Sequence, residues 1–430
     1  MQTNLIDSIK NTADGQEAEA ILGACVHCGF CNATCPTYQL LGNELDGPRG
    51  RIYLIKEMLE GAAVTDKTLL HLDRCLSCRS CETTCPSGVQ YGRLVDIGRA
   101  IAEEQVGRSP RQAVQRWLLR MVLPRPAIFN SLLAVGRLFR PLLPGALAKD
   151  IPVARPAKPW PGTRHARSML VLQGCVQPGL APSTNAAAAR VLDRLGITLF
   201  SANKAGCCGA VSYHLNAQAD GLDYMRRNID AWWPYVEQGT EAVVMTASGC
   251  GAMVKEYGHL LRHDPAYAAR AARVSAITSD LSEILAAEKE ALLRLLAPVT
   301  LAGTQRGKVA FHSPCTLQHG QKIVGVIEAL LTQAGYELTL VADKHLCCGS
   351  AGTYSILQKE LSQQLLRNKL GALQSGKPAQ IASANIGCQA HLQSGTELPV
   401  RHWIELVDEA LEEPAGLEES WRNRSVRQAA

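Results

Sequence analysis

Aromatic side chains make up only 5% of this 430-residue chain, with just five phenylalanines, so its cores must be built mainly from aliphatic residues. No apolar run approaches the roughly 20 residues that a membrane-crossing helix requires. The opening stretch, MQTNLIDSIKNTADGQEAEA, has no basic start, no apolar run and no small-residue cleavage site of a secretory signal. The expectation is a cytoplasmic, reducing address, where thiols serve metal or redox chemistry more often than disulfides. No G-x-G-x-x-G follows a strand, which argues against a dinucleotide fold. GALQSGKP (Gly371–Pro378) comes near a phosphate-binding loop, but Pro378 stands where a magnesium-binding Ser or Thr is needed. There is no H-E-x-x-H and no nucleophile elbow. Acidic residues are missing altogether between Gln105 and Lys149.

What the chain has is cysteine. There are sixteen, and they are clustered rather than scattered. Length allows two or three domains with proper cores, and a 19% charged fraction is ordinary for a globular protein. The net charge of +5 is uneven: Arg93–Arg167 holds fourteen Lys and Arg against four Asp and Glu. That excess suits an anionic partner or phospholipid headgroups. Nucleic acid fits poorly, because no helix-turn-helix, zinc-finger or aromatic RNA-binding signature accompanies the charge.

Cys25, Cys28, Cys31 and Cys35 form CVHCGFCNATCP, and fifty residues later Cys75, Cys78, Cys81 and Cys85 form CLSCRSCETTCP. Zinc also takes thiolates from C-x2-C pairs, but needs neither the third cysteine at the same step nor the closing proline. This C-x2-C-x2-C-x3-C-P pattern resembles bacterial two-cluster ferredoxins, in which the fourth cysteine of each run serves the other cluster. The resemblance implies two [4Fe-4S] clusters, one on Cys25, Cys28, Cys31 and Cys85, the other on Cys75, Cys78, Cys81 and Cys35. Between the runs, Ile52, Leu54, Ile55, Met58 and Leu59 recur at helical spacing and stop at Gly61, which predicts a helical connector. Such a module resembles the α-helical ferredoxin of succinate dehydrogenase and heterodisulfide reductase subunits.

After it comes a basic stretch punctuated by proline. Trp117, Leu118, Met121 and Val122 share a helix face with Arg116 and Arg120 beside them; Phe129, Leu132, Leu133, Leu138 and Phe139 build a second amphipathic piece. Such helices lie in a membrane interface or pack on protein. A Pro-rich linker, IPVARPAKPWPG (Ile151–Gly162), then marks a domain boundary.

The remainder is a duplication. Cys175, Cys207, Cys208 and Cys250 recur as Cys315, Cys347, Cys348 and Cys388, with Asn228 and Asn368 matching at the 140-residue offset of the first three. Apolar runs SMLVLQGC and KVAFHSPC each end in cysteine, as buried parallel strands do at a ligand site. Adjacent cysteines rarely bond each other comfortably, so each AGCCG or LCCGS stretch is read as part of a shared ligand set. The other readings are buried small hydrophobes or a redox dithiol.

Two C…CCG…C units behind a two-cluster module resemble the family of glycolate oxidase iron–sulfur subunits, close to the glycerol-3-phosphate dehydrogenase C subunit and lactate-utilisation proteins. The resemblance implies an α-helical ferredoxin-like two-cluster domain over 1–105, a bridge and linker over 106–165, α/β cysteine-rich (CCG) domains over 166–300 and 301–412, and a disordered tail over 413–430. It further implies one or two additional clusters in the CCG domains. In the similar CCG domains of heterodisulfide reductase the last cysteine of each repeat begins a C-x2-C pair. Here Met253 and His391 stand at the second position of that pair, so the five-thiol cluster does not carry over whole, and His391 is a candidate substitute in the second half. Scattered histidines such as His27, His71 and His312 are more often structural than catalytic; His312 and His319 flank Cys315 and can tune a nearby site by hydrogen bonding. With clusters but no hydride acceptor, the chain is expected to be an electron-transfer subunit and not catalytic alone. The resemblance implies FAD on partner glycolate oxidase subunits and a quinone or another membrane acceptor for the electrons. The same role in a glycerol-3-phosphate or lactate dehydrogenase, or a thiol–disulfide enzyme, are the alternatives.

Overall fold

A computed structural model describes residues 1–142, 144, 151–154, 156–301 and 306–412. The tail expected over 413–430 lies outside these residues.

The N-terminal hundred residues are helices and loops only. The connector helix runs Pro48–Leu59, with proline in its first turn, where the missing N–H costs nothing. Its Ile52, Ile55, Met58 and Leu59 meet Leu94, Val95, Ile97 and Ala102 of the helix Tyr91–Val106 in one aliphatic core. A buried carboxylate ties the two cysteine runs together. Asp46 pairs with His71 at 2.9 Å and Arg74 at 3.0 Å, just ahead of Cys75, and with Arg51 at 3.7 Å. Its carbonyl accepts the Thr37 hydroxyl at 2.7 Å and the Cys35 thiol at 3.8 Å.

Two four-stranded parallel sheets follow. The first comprises β1 (Arg167–Val171), β2 (Ile197–Phe200), β3 (Val243–Met245) and β4 (Thr278–Asp280), in the order β2-β1-β3-β4. In the second, β5 (Lys308–His312), β6 (Glu337–Leu338), β7 (Gln380–Ser383) and β8 (Val400–His402) repeat it as β6-β5-β7-β8. Their central strands are mostly apolar where they are buried, because helices cover both faces. On one face the two halves share a single core, in which Val171, Val191 and Leu192 join Phe311, Ile327 and Trp403. The opposite faces keep separate cores.

The bridge consists of the helices Pro110–Val122 and Pro126–Phe139, with the segment Pro126–Leu142 bent by 100° from the first helix. No single helix among the described residues is long and apolar enough to cross a membrane. Several bridge arginines turn inward, contrary to a simple basic face: Arg116 pairs with Asp73 at 3.1 Å and Arg137 binds the Gly179 carbonyl at 3.0 Å. Trp117, Leu132, Leu138 and Phe139 instead face outward, each at least half exposed.

Replacing Asp46 with alanine removes the buried carboxylate shared by His71, Arg74 and Arg51, and leaves the Arg51 guanidinium, 1% exposed, with the His71 carbonyl and the Thr37 hydroxyl as its hydrogen-bond partners. We expect Asp46→Ala to destabilise the N-terminal module by about 3–5 kcal/mol, read as a lowered urea midpoint.

Candidate metal centres

Each C-x2-C-x2-C loop curls because alternate residues adopt left-handed backbone. His27 and Gly29 have φ of 58° and 87°, and the corresponding Ser77 and Arg79 have 50° and 58°. Three of these four are not glycine, a strain that persists where surroundings hold it and that turns backbone N–H groups toward one point. Ser77 N donates to the Cys75 sulfur at 3.3 Å.

The loops bring the thiols together in two sets. Cys25, Cys28, Cys31 and Cys85 line one cleft with Pro86 and Ile52, and Cys81 of the second set also borders it. Burial, then the neighbouring Cys25, push the Cys31 thiol up to about 11, with Cys85 and Cys28 adding to it. Burial likewise raises Cys81, beside Cys78, Cys75 and Cys35. Four crowded thiols resist ionising together unless a cation compensates them, and iron in a cluster supplies that compensation. Both sets therefore fit a [4Fe-4S] cluster. Arg51, fully buried, is kept protonated by Tyr91, Cys75, Cys35 and Asp46 despite burial, so a fixed positive charge stands against the second set. The first set opens to the surface, with Cys28 exposed and Phe30 62% exposed beside it. In the second, burial followed by Cys315 and Cys35 raises the Cys78 thiol, so this set adjoins the second CCG domain.

Each CCG set sits where parallel strands end and strand order reverses around the central strand, the usual ligand position of such sheets. Cys175 follows β1, Cys207 and Cys208 follow β2, and Cys250 lies on the helix Ser248–Lys255 after β3. Their thiols interact in sequence, Cys175 with Cys207, Cys207 with Cys208, and Cys208 with Cys250. Cys315, Cys347, Cys348 and Cys388 form the same chain. All sixteen cysteines are free thiols. The glycine of each CCG is obligatory. Gly209 and Gly349 both have φ of 90°, and a Cβ there would lie 2.6 Å from the Gly221 and Ser362 carbonyl oxygens respectively.

Supporting residues follow the duplication less closely. Asn228 accepts from Gly206 N at 2.9 Å and donates to the Cys207 carbonyl at 2.8 Å, fixing the first CCG loop. Asn368, its match by spacing, is exposed. Lys369 takes over one residue later, its Nζ donating to the Asp343 carbonyl at 2.8 Å. Nothing in the sequence marks Lys369; only a buried lysine in a long amphipathic helix could have raised the question. His391 does not reach the thiols, since its Nε2 bonds Ser362 Oγ at 3.2 Å and its ring also bonds the Cys348 backbone. His319 bridges domains, from Thr83 Oγ1 at 2.9 Å to the His345 carbonyl at 2.9 Å.

Fold and donor sets together define an iron–sulfur protein with a dicluster ferredoxin module ahead of a duplicated cysteine-rich α/β domain. Family models for a 4Fe-4S dicluster domain and a cysteine-rich domain match residues 21–89, and 169–255 and 309–393, respectively. The glycolate oxidase iron-sulfur subunit of Escherichia coli (strain K12) is 57% identical over 96% of this chain and 100% of its own length. The probable glycolate oxidase iron-sulfur subunit of Bacillus subtilis (strain 168) is 29% identical over 90% of this chain and 92% of its own. Lactate utilization protein A of Bacillus licheniformis is 28% identical over 50% of this chain and 85% of its own. The chain belongs to the family of glycolate oxidase iron–sulfur subunits and is the iron–sulfur component of an oxidoreductase.

Cysteine variants test the ligand sets. We expect Cys85→Ser to alter the same EPR signal as Cys28→Ser, and Cys35→Ser the same signal as Cys78→Ser. Pairing of Cys35 with Cys28 instead would contradict the crossed arrangement.

Proposed function

We propose that the chain is the electron-transfer subunit of a multi-subunit glycolate oxidase. An FAD-bearing partner oxidises glycolate to glyoxylate, and this chain passes the electrons to a quinone-type acceptor at the cytoplasmic face of the inner membrane. The observation that carries this reading is the 57% identity along the whole E. coli glycolate oxidase iron-sulfur subunit. A [4Fe-4S] cluster takes and gives one electron at a time, which the two-electron chemistry of an alcohol and a flavin needs downstream.

In this reading Cys25, Cys28, Cys31 and Cys85 hold one cluster, and Cys75, Cys78, Cys81 and Cys35 hold another. Each CCG set holds a further one. The exposed surroundings of Cys28 suit contact with a partner, because electron transfer weakens steeply with distance. The position of Cys78 beside Cys315 and Cys347 keeps the next separation short. Arg51 offsets negative charge at the second set and so favours its reduced form. Thr83 and His319 hold the two domains in register across that contact.

The outward apolar side chains of the bridge suit shallow insertion into a lipid interface near the acceptor.

Two measurements test this. In anaerobic mixtures with the FAD-bearing partner, glycolate should bleach the visible iron–sulfur absorbance of this chain; bleaching by glycerol 3-phosphate or lactate, but not glycolate, would reassign the substrate. The full chain should float with vesicles containing phosphatidylglycerol, and Leu138→Glu with Phe139→Glu should reduce the floated fraction about tenfold or more. Equal flotation of both proteins would remove the bridge as the contact.

A further inference from the structure

The two CCG units differ at one position beside the thiols. β1 is followed by Leu172, which lies in the aliphatic core of the first unit. At the matching place, 140 residues on, β5 ends in His312. His312 is only 2% exposed. Its Nδ1 lies 3.0 Å from Ser383 Oγ on the neighbouring strand β7, whereas Nε2 is buried with no hydrogen-bond partner. A buried polar nitrogen left without a partner is costly and calls for an explanation. An imidazole nitrogen of His312 and the sulfurs of Cys348 and Cys388 all lie within 4.8 Å of one another. With Nδ1–H donated to Ser383, Nε2 presents its lone pair, which is the arrangement of a metal-bound histidine and its orienting partner.

The other buried histidines of the second unit already have hydrogen-bond partners. His391 and His319 have their ring nitrogens engaged as described, and His402 bonds the Thr246 carbonyl at 2.8 Å while accepting from Ile404 N at 3.2 Å.

We infer that the second CCG unit is a mixed nitrogen–sulfur site, in which His312 Nε2 ligates the iron centre held by Cys348 and Cys388, while the first unit is sulfur-only. Ser383 is the positioning residue. This rests on the proposal that the CCG sets hold iron–sulfur clusters. A neutral imidazole adds a ligand at this position without adding negative charge, so the centre should sit at a higher potential than it would with a thiolate there.

The test uses the full chain, purified without oxygen and reduced, with and without 15N-labelled histidine. Pulsed EPR should detect a strongly coupled nitrogen that responds to the label. His312→Leu should abolish that coupling, and so should His312→Gln, which keeps a polar side chain of similar reach. Ser383→Ala should alter the coupling without removing it. His312→Cys should shift the midpoint of one centre downward. Wild-type protein lacking the coupling, or His312→Leu retaining it, would overturn the inference.

Total iron, zinc and sulfide in Cys348→Ser separates the two levels of the argument. If iron and sulfide equal wild type, or zinc alone is lost, the second unit holds no cluster and both readings fall. If iron and sulfide drop but the coupling survives in His312→Leu, only the histidine assignment falls.

Discussion

Thiols drawn from distant parts of one chain are brought into small, crowded volumes, and most of this architecture serves that convergence. In the N-terminal module the convergence acts through local backbone, since the left-handed residues at His27, Ser77 and Arg79 bend each loop around a point. It also acts over distance: Asp46 ties the run ending at Cys35 to the run beginning at Cys75 through His71 and Arg74. In each later domain a CCG turn holds one left-handed glycine, Gly209 or Gly349, and the sheet delivers three strand ends to one edge.

The legible part of this protein was whatever depends on spacing along the chain. Cysteine spacing marked both halves of the ligand inventory, and apolar runs ending in cysteine marked the central strands β1 and β5. Spacing failed where function is carried by a side chain whose role depends on a neighbour in space. The equal offset of Asn228 and Asn368 suggested a shared duty, yet Asn368 is exposed and it is the buried Lys369 that bonds the Asp343 carbonyl ahead of the second CCG. His391 occupied the position of a missing thiol in the alignment of repeats but faces Ser362. For the bridge, helical periodicity was readable, whereas the inward turn of Arg116 required knowing where Asp73 would be.

Duplication here preserved the frame and relaxed the chemistry. The paired CCG glycines are constrained identically, down to the same 2.6 Å conflict with a following helix carbonyl. Around that fixed turn the two halves diverged, to Asn228 with a tyrosine in one and Lys369 with histidines in the other. A repeated scaffold can in this way offer unlike environments to like sulfur sets.

The aliphatic layer common to both sheets has a further consequence. Because Val191 and Leu192 pack into the same interior as Trp403 and Ile404, neither α/β half owns a complete hydrophobic boundary. Severed between Leu301 and Arg306, each fragment would present a greasy slab to water. Thermal melting of the pair should then be a single calorimetric event, and evolution could not lose one repeat without redesigning the face of the other.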